Sequence, residues 1–155
     1  MAVALNQEVL DLLQSEETVK ILTTVDERGV PHAVPKGSLT LGDNGTLVML
    51  ELLESSRTNR NLVRSIWYDL KVSVLLIGKN NQAFQIKGVP VKTYVSGPVF
   101  QKHYTAARER LGDVDPAAVW IIRPDEVINQ SWTVRQDEQR ATRPTFTHLD
   151  RLVNV

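Results

Sequence analysis

Ser55-Ser56-Arg57, inside the stretch Leu53 to Leu62, is the part of this chain whose residue types point most directly at a ligand. Two small hydroxyl residues run into a helical pattern whose first turn carries an arginine. Free backbone N–H groups, the positive end of a helix dipole and a guanidinium fork would then converge on one spot, which suits a phosphate. The same residues also satisfy a plainer reading, a Ser N-cap followed by solvated arginines. On a 3.6-residue period Leu62, Val63 and Ile66 fall on one side of this helix and Arg57, Arg60 and Arg64 nearly opposite. Only Arg57 has the helix terminus beside it.

Other chemistries find little support. The 155 residues contain no cysteine, so thiolate metal sites, disulfides and a cysteine nucleophile are excluded. His32, His103 and His148 lack any metal-ligand spacing, and no Ser/His/Asp triad or carboxylate pair stands out, so no catalytic side chain and no metal ligand is named. Eighteen Lys plus Arg balance eighteen Asp plus Glu, and a neutral chain lacks the electrostatic footprint of a nucleic-acid binder. The N-terminal residues have neither the basic nor the apolar region of a signal peptide. The longest apolar run, Val72 to Ile77, is too short to span a bilayer. A cytoplasmic protein without membrane contact is expected.

The elements that must position the Ser56 helix follow from period and punctuation. Asn6 can cap a first helix carrying Val9, Leu10, Leu12 and Leu13. Val19 to Val25 reads as a strand and Asp26 to Gly29 as a turn. Val30 to Leu41 resumes an extended pattern, with Pro31 and Pro35 marking an edge or irregular strand. Gly42 to Gly45 reverses the chain into Thr46–Glu51. After the Ser56 helix, Lys71–Ile77 turns through Gly78–Asn81 into a strand from Gln82 to Gly88 that can continue to Val95. Gly97-Pro98 opens a helix that stops at Gly112. Val119–Ile122 and Val127–Ile128 read as a last strand broken at Pro124. About six strands and three helices, joined mostly by short turns, predict a mainly β (α+β) fold: an antiparallel six-stranded barrel with flanking helices. One domain over residues 1–135 is expected. A polar, arginine-rich tail over 136–155 is either loosely held or laid on a partner.

This order of elements, with Asp26-Glu-Arg-Gly-Val-Pro31, Pro35-Lys36, Ser56-Arg57 and Val72-Ser-Val-Leu-Leu76 in their places, resembles the FMN-binding split barrels related to pyridoxamine 5′-phosphate oxidase. The likeness covers roughly residues 5 to 131 and lies in the arrangement rather than in any invariant string. It implies a homodimer with FMN at the interface and an oxidoreductase acting on a small molecule. The family's phosphate-binding Ser-Arg-Lys falls on Ser56, Arg57 and Thr58, so the lysine is replaced by an uncharged hydroxyl. Its second-strand lysine falls on Lys36, after Val34 and Pro35, whose backbone would face the flavin ring. The ribityl and phosphate contacts fall near Leu50, Glu51 and Leu52, and from the second subunit Gln82 would reach the ring edge. Glu51 departs from the family's Tyr-Thr pair. A carboxylate there opposes a phosphate unless Arg57, Arg60 or Lys36 neutralises it. The oxidase's C-terminal grip on pyridoxal phosphate is not reproduced by Trp132 to Arg135 or by His148 to Arg151, which argues against vitamin B6 as substrate. Ile66 to Asp69 is a longer helix-to-strand connection than usual. Rival readings are a haem binder with His32 or His103 as ligand, a deazaflavin binder, and a non-enzymatic flavin-binding or sensor module.

Overall fold

The computed structural model describes residues 3–153. Asn6 caps α1 (Gln7–Gln14) by accepting the Val9 amide at 2.9 Å, and the helix buries Val9, Leu12 and Leu13. β1 (Val19–Val25) and β2 (Pro31–Pro35) form a hairpin across the Asp26 turn. β3 (Thr40–Leu41) and β4 (Leu47–Glu51) form a second hairpin. Next come α2 (Arg57–Tyr68), β5 (Val72–Ile77), β6 (Ala83–Tyr94), α3 (Gly97–Leu111), β7 (Ala118–Asn129) and α4 (Trp132–Thr142). All pairings are antiparallel, in the order β2-β1-β5-β6-β7-β4-β3.

The sheet curls into a half-barrel, the α+β split barrel expected, but with seven strands rather than six. The extra strand arises because Val30–Leu41 does not stay extended. Leu39 N donates to the Lys36 carbonyl at 3.1 Å, and this turn separates β2 from β3. Pro124 does not break the last strand either. It lies opposite Gly88, where the β6–β7 register shifts, so the ladder loses its donor at an existing bulge. A Cβ at Gly88 would collide with the Arg123 carbonyl oxygen, and glycine lets the two backbones close there. A second shift between Pro90 and Lys92 bends the same long pair of strands further.

Alternation builds the core. Leu22 of β1, Val74 and Leu76 of β5, Ile86 of β6, Trp120 and Ile122 of β7, and Leu47 and Met49 of β4 point inward under α1 and α2. Helix α2 buries a different stripe from the one its hydropathy suggests. Thr58, Asn61, Leu62 and Ser65 face the sheet, while Val63 and Ile66 are 41% and 38% exposed. The polar members are paired: Asn61 Nδ2 donates to Thr24 Oγ1 at 2.9 Å and Ser65 Oγ to the Asn61 carbonyl at 2.8 Å. α2 runs to Tyr68 and is closed by Asp69 in the left-handed conformation (φ 51°). Among the described residues there are four α-helices rather than three. α4 runs across residues 135 and 136 and buries no residue, so it has no apolar periodicity for a sequence reading to detect.

Candidate functional site

The start of α2 is built as its residues suggest. Ser56 is extended (φ −63°, ψ 149°) and its Oγ accepts the Asn59 amide at 2.9 Å. The first-turn amides of Arg57 and Thr58 have no intrahelical acceptor, and the Ser56 hydroxyl proton remains available to donate. Asn59 fixes the preceding loop: its Nδ2 donates to the Glu54 carbonyl at 3.0 Å, and its Oδ1 accepts from Trp120 Nε1 at 2.9 Å. Arg57 is half-exposed and lies 3.9 Å from Asp26 Oδ2, a long ion pair that leaves the guanidinium free to donate elsewhere. Asp26 itself is buried. Its Oδ1 accepts the Arg28 and Val30 amides at 2.8 and 2.9 Å. The Val30 amide above all, helped by the Arg28 amide and the charges of Arg28 and Arg57, holds the Asp26 carboxyl below its ordinary range against the opposing effect of burial.

Beside this helix start opens a cleft of about 1090 Å³. It is bounded by the end of α1, the β2–β3 turn, the end of β4 with the loop after it, and the end of α3. Glu51 is only 2% exposed, and the Lys36 ammonium meets its Oε2 at 2.9 Å. The other carboxylate oxygen accepts the Leu53 amide at 3.1 Å. Ser38 clamps the wall, its Oγ donating to the Leu50 carbonyl at 2.9 Å and accepting the Leu50 amide at 3.1 Å.

The residues singled out from sequence separate into three places. Pro35, Lys36, Leu50, Glu51 and Leu52 line the cleft, with Val34 half-buried just behind them on β2. Ser56 and Arg57 stand outside it at the start of α2. Thr58 is 2% exposed and faces the sheet, so its side chain is turned away from the helix terminus and only its amide points outward. Gln82 lies elsewhere in the same chain, beside Gly78, where its Nε2 donates to Glu8 at 3.2 Å. Arg60 is exposed. Arg64 instead donates to the Asp26 carbonyl at 3.4 Å and stacks on Tyr68.

Two of the cleft's cations were not anticipated. Lys20 is 6% exposed, and its ammonium donates to the Leu13 and Leu39 carbonyls, each at 2.7 Å. Burial, then the like charge of Arg110, holds this ammonium below its ordinary range. The alternation of β1 could have revealed it, since Lys20 shares the inward face of Leu22 and Thr24. Arg110, near the end of α3, carries no such signal. The histidines do not gather here: His32 lies on β2 and His103 on α3, and neither lines the cleft. Burial, then Lys102, holds His103 below its usual range, with Asp43 opposing. Among the described residues, no cluster of three His, Asp or Glu side chains can hold a metal ion. No helix among them is long and apolar enough to cross a membrane.

No family model and no curated protein matches this chain. Solved structures do. HupZ of Group A Streptococcus superposes with a TM-score of 0.69 at 23% identity, over 83% of this chain and 95% of HupZ. A Lactobacillus delbrueckii protein provisionally named a pyridoxamine 5′-phosphate oxidase matches with a TM-score of 0.64 at 22% identity, over 81% and 93% of the two chains. An FMN-binding protein of Syntrophomonas wolfei gives 0.63 at 12% identity, over 81% and 88%. The architecture is shared further by an F420 reductase (TM-score 0.59, 17% identity, 83% and 100%) and by HutZ, the haem storage protein of Vibrio cholerae (0.54, 14%, 82% and 95%). The chain thus has the split-barrel fold of the pyridoxamine 5′-phosphate oxidase-like proteins.

Proposed function

We propose that this split-barrel chain is an FMN-binding flavoprotein, working as a homodimer, that oxidises or reduces a small molecule other than vitamin B6. The observation that carries the reading is the neutralisation of Glu51. Its carboxylate, which would oppose a nearby phosphate, is paired with Lys36 at 2.9 Å and no longer presents an uncompensated charge. The donors at the start of α2 suit one phosphate: the Arg57 and Thr58 amides, the Ser56 hydroxyl and the Arg57 guanidinium at the positive end of the helix. Thr58 contributes through its backbone alone. Lys36 acts on Glu51, and the backbone of Val34 to Lys36 would run along the ring.

When bound, the flavin supplies the electron transfer, and the protein's part is to hold and orient it. Gln82 would serve from the second subunit, in keeping with its distance in sequence and place from the Ser56 helix start. An outer face of α2 bearing Val63, Ile66 and Trp67, the last 79% exposed, offers an apolar surface for that subunit. Against B6 chemistry stands the spacing of Trp132 to Arg135 and His148 to Arg151, which does not reproduce the oxidase's grip on a substrate phosphate. Haem is less well served, because His32 and His103 lie on separate elements away from the cleft.

The deciding measurement is the visible spectrum of purified protein after incubation with FMN and desalting. A retained flavin band is expected. Colourless protein that takes up no FMN overturns the proposal, and a Soret band after haem addition with no flavin uptake replaces it by haem binding.

A further inference from the structure

We infer that the Lys20 cleft binds an amphipathic monocarboxylate, with its carboxylate between Lys20 and Arg110 and its apolar body along Leu41, Leu50, Leu53 and Leu111. The inference goes beyond flavin binding and does not require it.

Charge complementarity argues for the anion. Three cations line the cleft, Lys20, Lys36 and Arg110, against two carboxylates, Glu16 and Glu51. Lys36 and Glu51 cancel each other, and Glu16 is exposed to solvent at the mouth. Among the described residues Lys20 has no carboxylate partner. A buried cation without a counter-charge is costly, and two neutral carbonyls compensate it only in part. An ammonium has three N–H donors; two are used on Leu13 and Leu39, and among the described residues the third has no acceptor. Arg110, exposed on α3 and lining the same cleft, forms no ion pair among the described residues, and its charge bears on Lys20. An incoming carboxylate would complete the Lys20 donor set and relieve that repulsion.

The walls argue for the rest of the molecule. Leucines from α1, β3, β4, the loop after it and α3 share the lining with the two cations, those of β3, the loop and α3 exposed, and the volume is ample for a medium-chain or aromatic acid. A single buried ammonium matches a single negative charge.

The plain alternative is that Lys20 only staples the end of α1 to the β2–β3 turn. Calorimetric titration of flavin-free protein with decanoate and with decan-1-ol separates the two, since the probes share their chain and differ in charge. Decanoate is expected to bind about tenfold tighter or better, a difference of about 1.4 kcal/mol. Its amide-shift footprint in NMR should centre on Lys20, Ser38, Leu41 and Leu53. Lys20→Met should abolish the preference for decanoate while leaving decanol binding in place, and Arg110→Gln should reduce it. Equal binding of the two probes, a footprint elsewhere, or a preference that survives in Arg110→Gln and in Lys20→Met overturns the inference. If Lys20→Met does not fold, the footprint and Arg110→Gln still decide. Because flavin is absent throughout, failure here is independent of the outcome with FMN.

Discussion

Lys36, one residue beyond β2, and Glu51, the last residue of β4, meet at 2.9 Å with side chains 16% and 2% exposed. The pair closes the ends of two hairpins against each other, and Glu51 also accepts the Leu53 amide that begins the loop toward Ser56. Breaking such a pair from one side leaves a buried charge unmatched. Lys36→Met is therefore expected to lower stability by about 3–5 kcal/mol in denaturant unfolding. Glu51→Gln, which keeps an acceptor for Leu53 and leaves only the better-solvated lysine alone, should cost clearly less. Equal losses in the two variants would show that the carboxylate is not the strained partner.

Asn59 carries the connection from the helix start to the barrel. Asn59→Ala removes the acceptor for Trp120 Nε1 and the donor to the Glu54 carbonyl. A loss of about 1–3 kcal/mol in stability is expected, because Trp120 is buried and its N–H would be stranded. The same variant should weaken FMN uptake, since the loop ahead of Ser56 is no longer fixed. Full FMN affinity in a destabilised Asn59→Ala protein would uncouple the loop from the ligand.

Arg57→Ala is the direct test of the phosphate position. FMN affinity is expected to fall by about 1.5–3 kcal/mol, the worth of a hydrogen bond to a charged group. Its long contact with Asp26 contributes little to stability at a half-exposed site, so the melting temperature should barely move. Unchanged affinity, measured by flavin fluorescence quenching, would move the phosphate elsewhere.

The turn at Asp26 should govern the acid side of the stability profile. The folded carboxyl lies below its unfolded value, so its stabilising contribution is complete above the ordinary carboxylate range. It is lost as pH falls through the lowered folded value. Asp26→Asn should be less stable than the parent at neutral pH, and the gap should close as the solution is acidified below that value. A gap independent of pH in thermal melts would assign the effect to packing instead.

Trp67 tests the subunit arrangement. Trp67→Glu, on the exposed outer face of α2, is expected to convert a dimer to a monomer in light scattering and to lower FMN uptake with it. A dimer that persists in this variant excludes that face from the interface.

Local signals in the chain were sufficient for much of this. The Asn6 and Ser56 caps and the Gly97-Pro98 start and Gly112 stop of α3 rest on hydrogen bonds and dihedrals within a few residues, so residue type alone specifies them. Local pattern failed where the deciding partner is remote. Val63 and Ile66 look like core by hydropathy, yet the buried stripe of α2 contains Thr58, Asn61 and Ser65, because Thr24 of β1 waits opposite with a matching hydroxyl. Pro124 looks like a strand break until Gly88, distant in sequence, supplies the bulge that accommodates it.

The candidate site divides along the same line. Sequence by itself determined a capped helix start with Ser56 and Arg57, because a cap and its dipole belong to one short segment. Only the tertiary structure decided that Lys36 neutralises Glu51, that Thr58 turns inward, and that a buried Lys20 and an exposed Arg110 line one leucine-rich cleft. Those outcomes depend on which strand ends meet when the sheet curls, and charge pairing across fifteen or more residues leaves no local period in the chain.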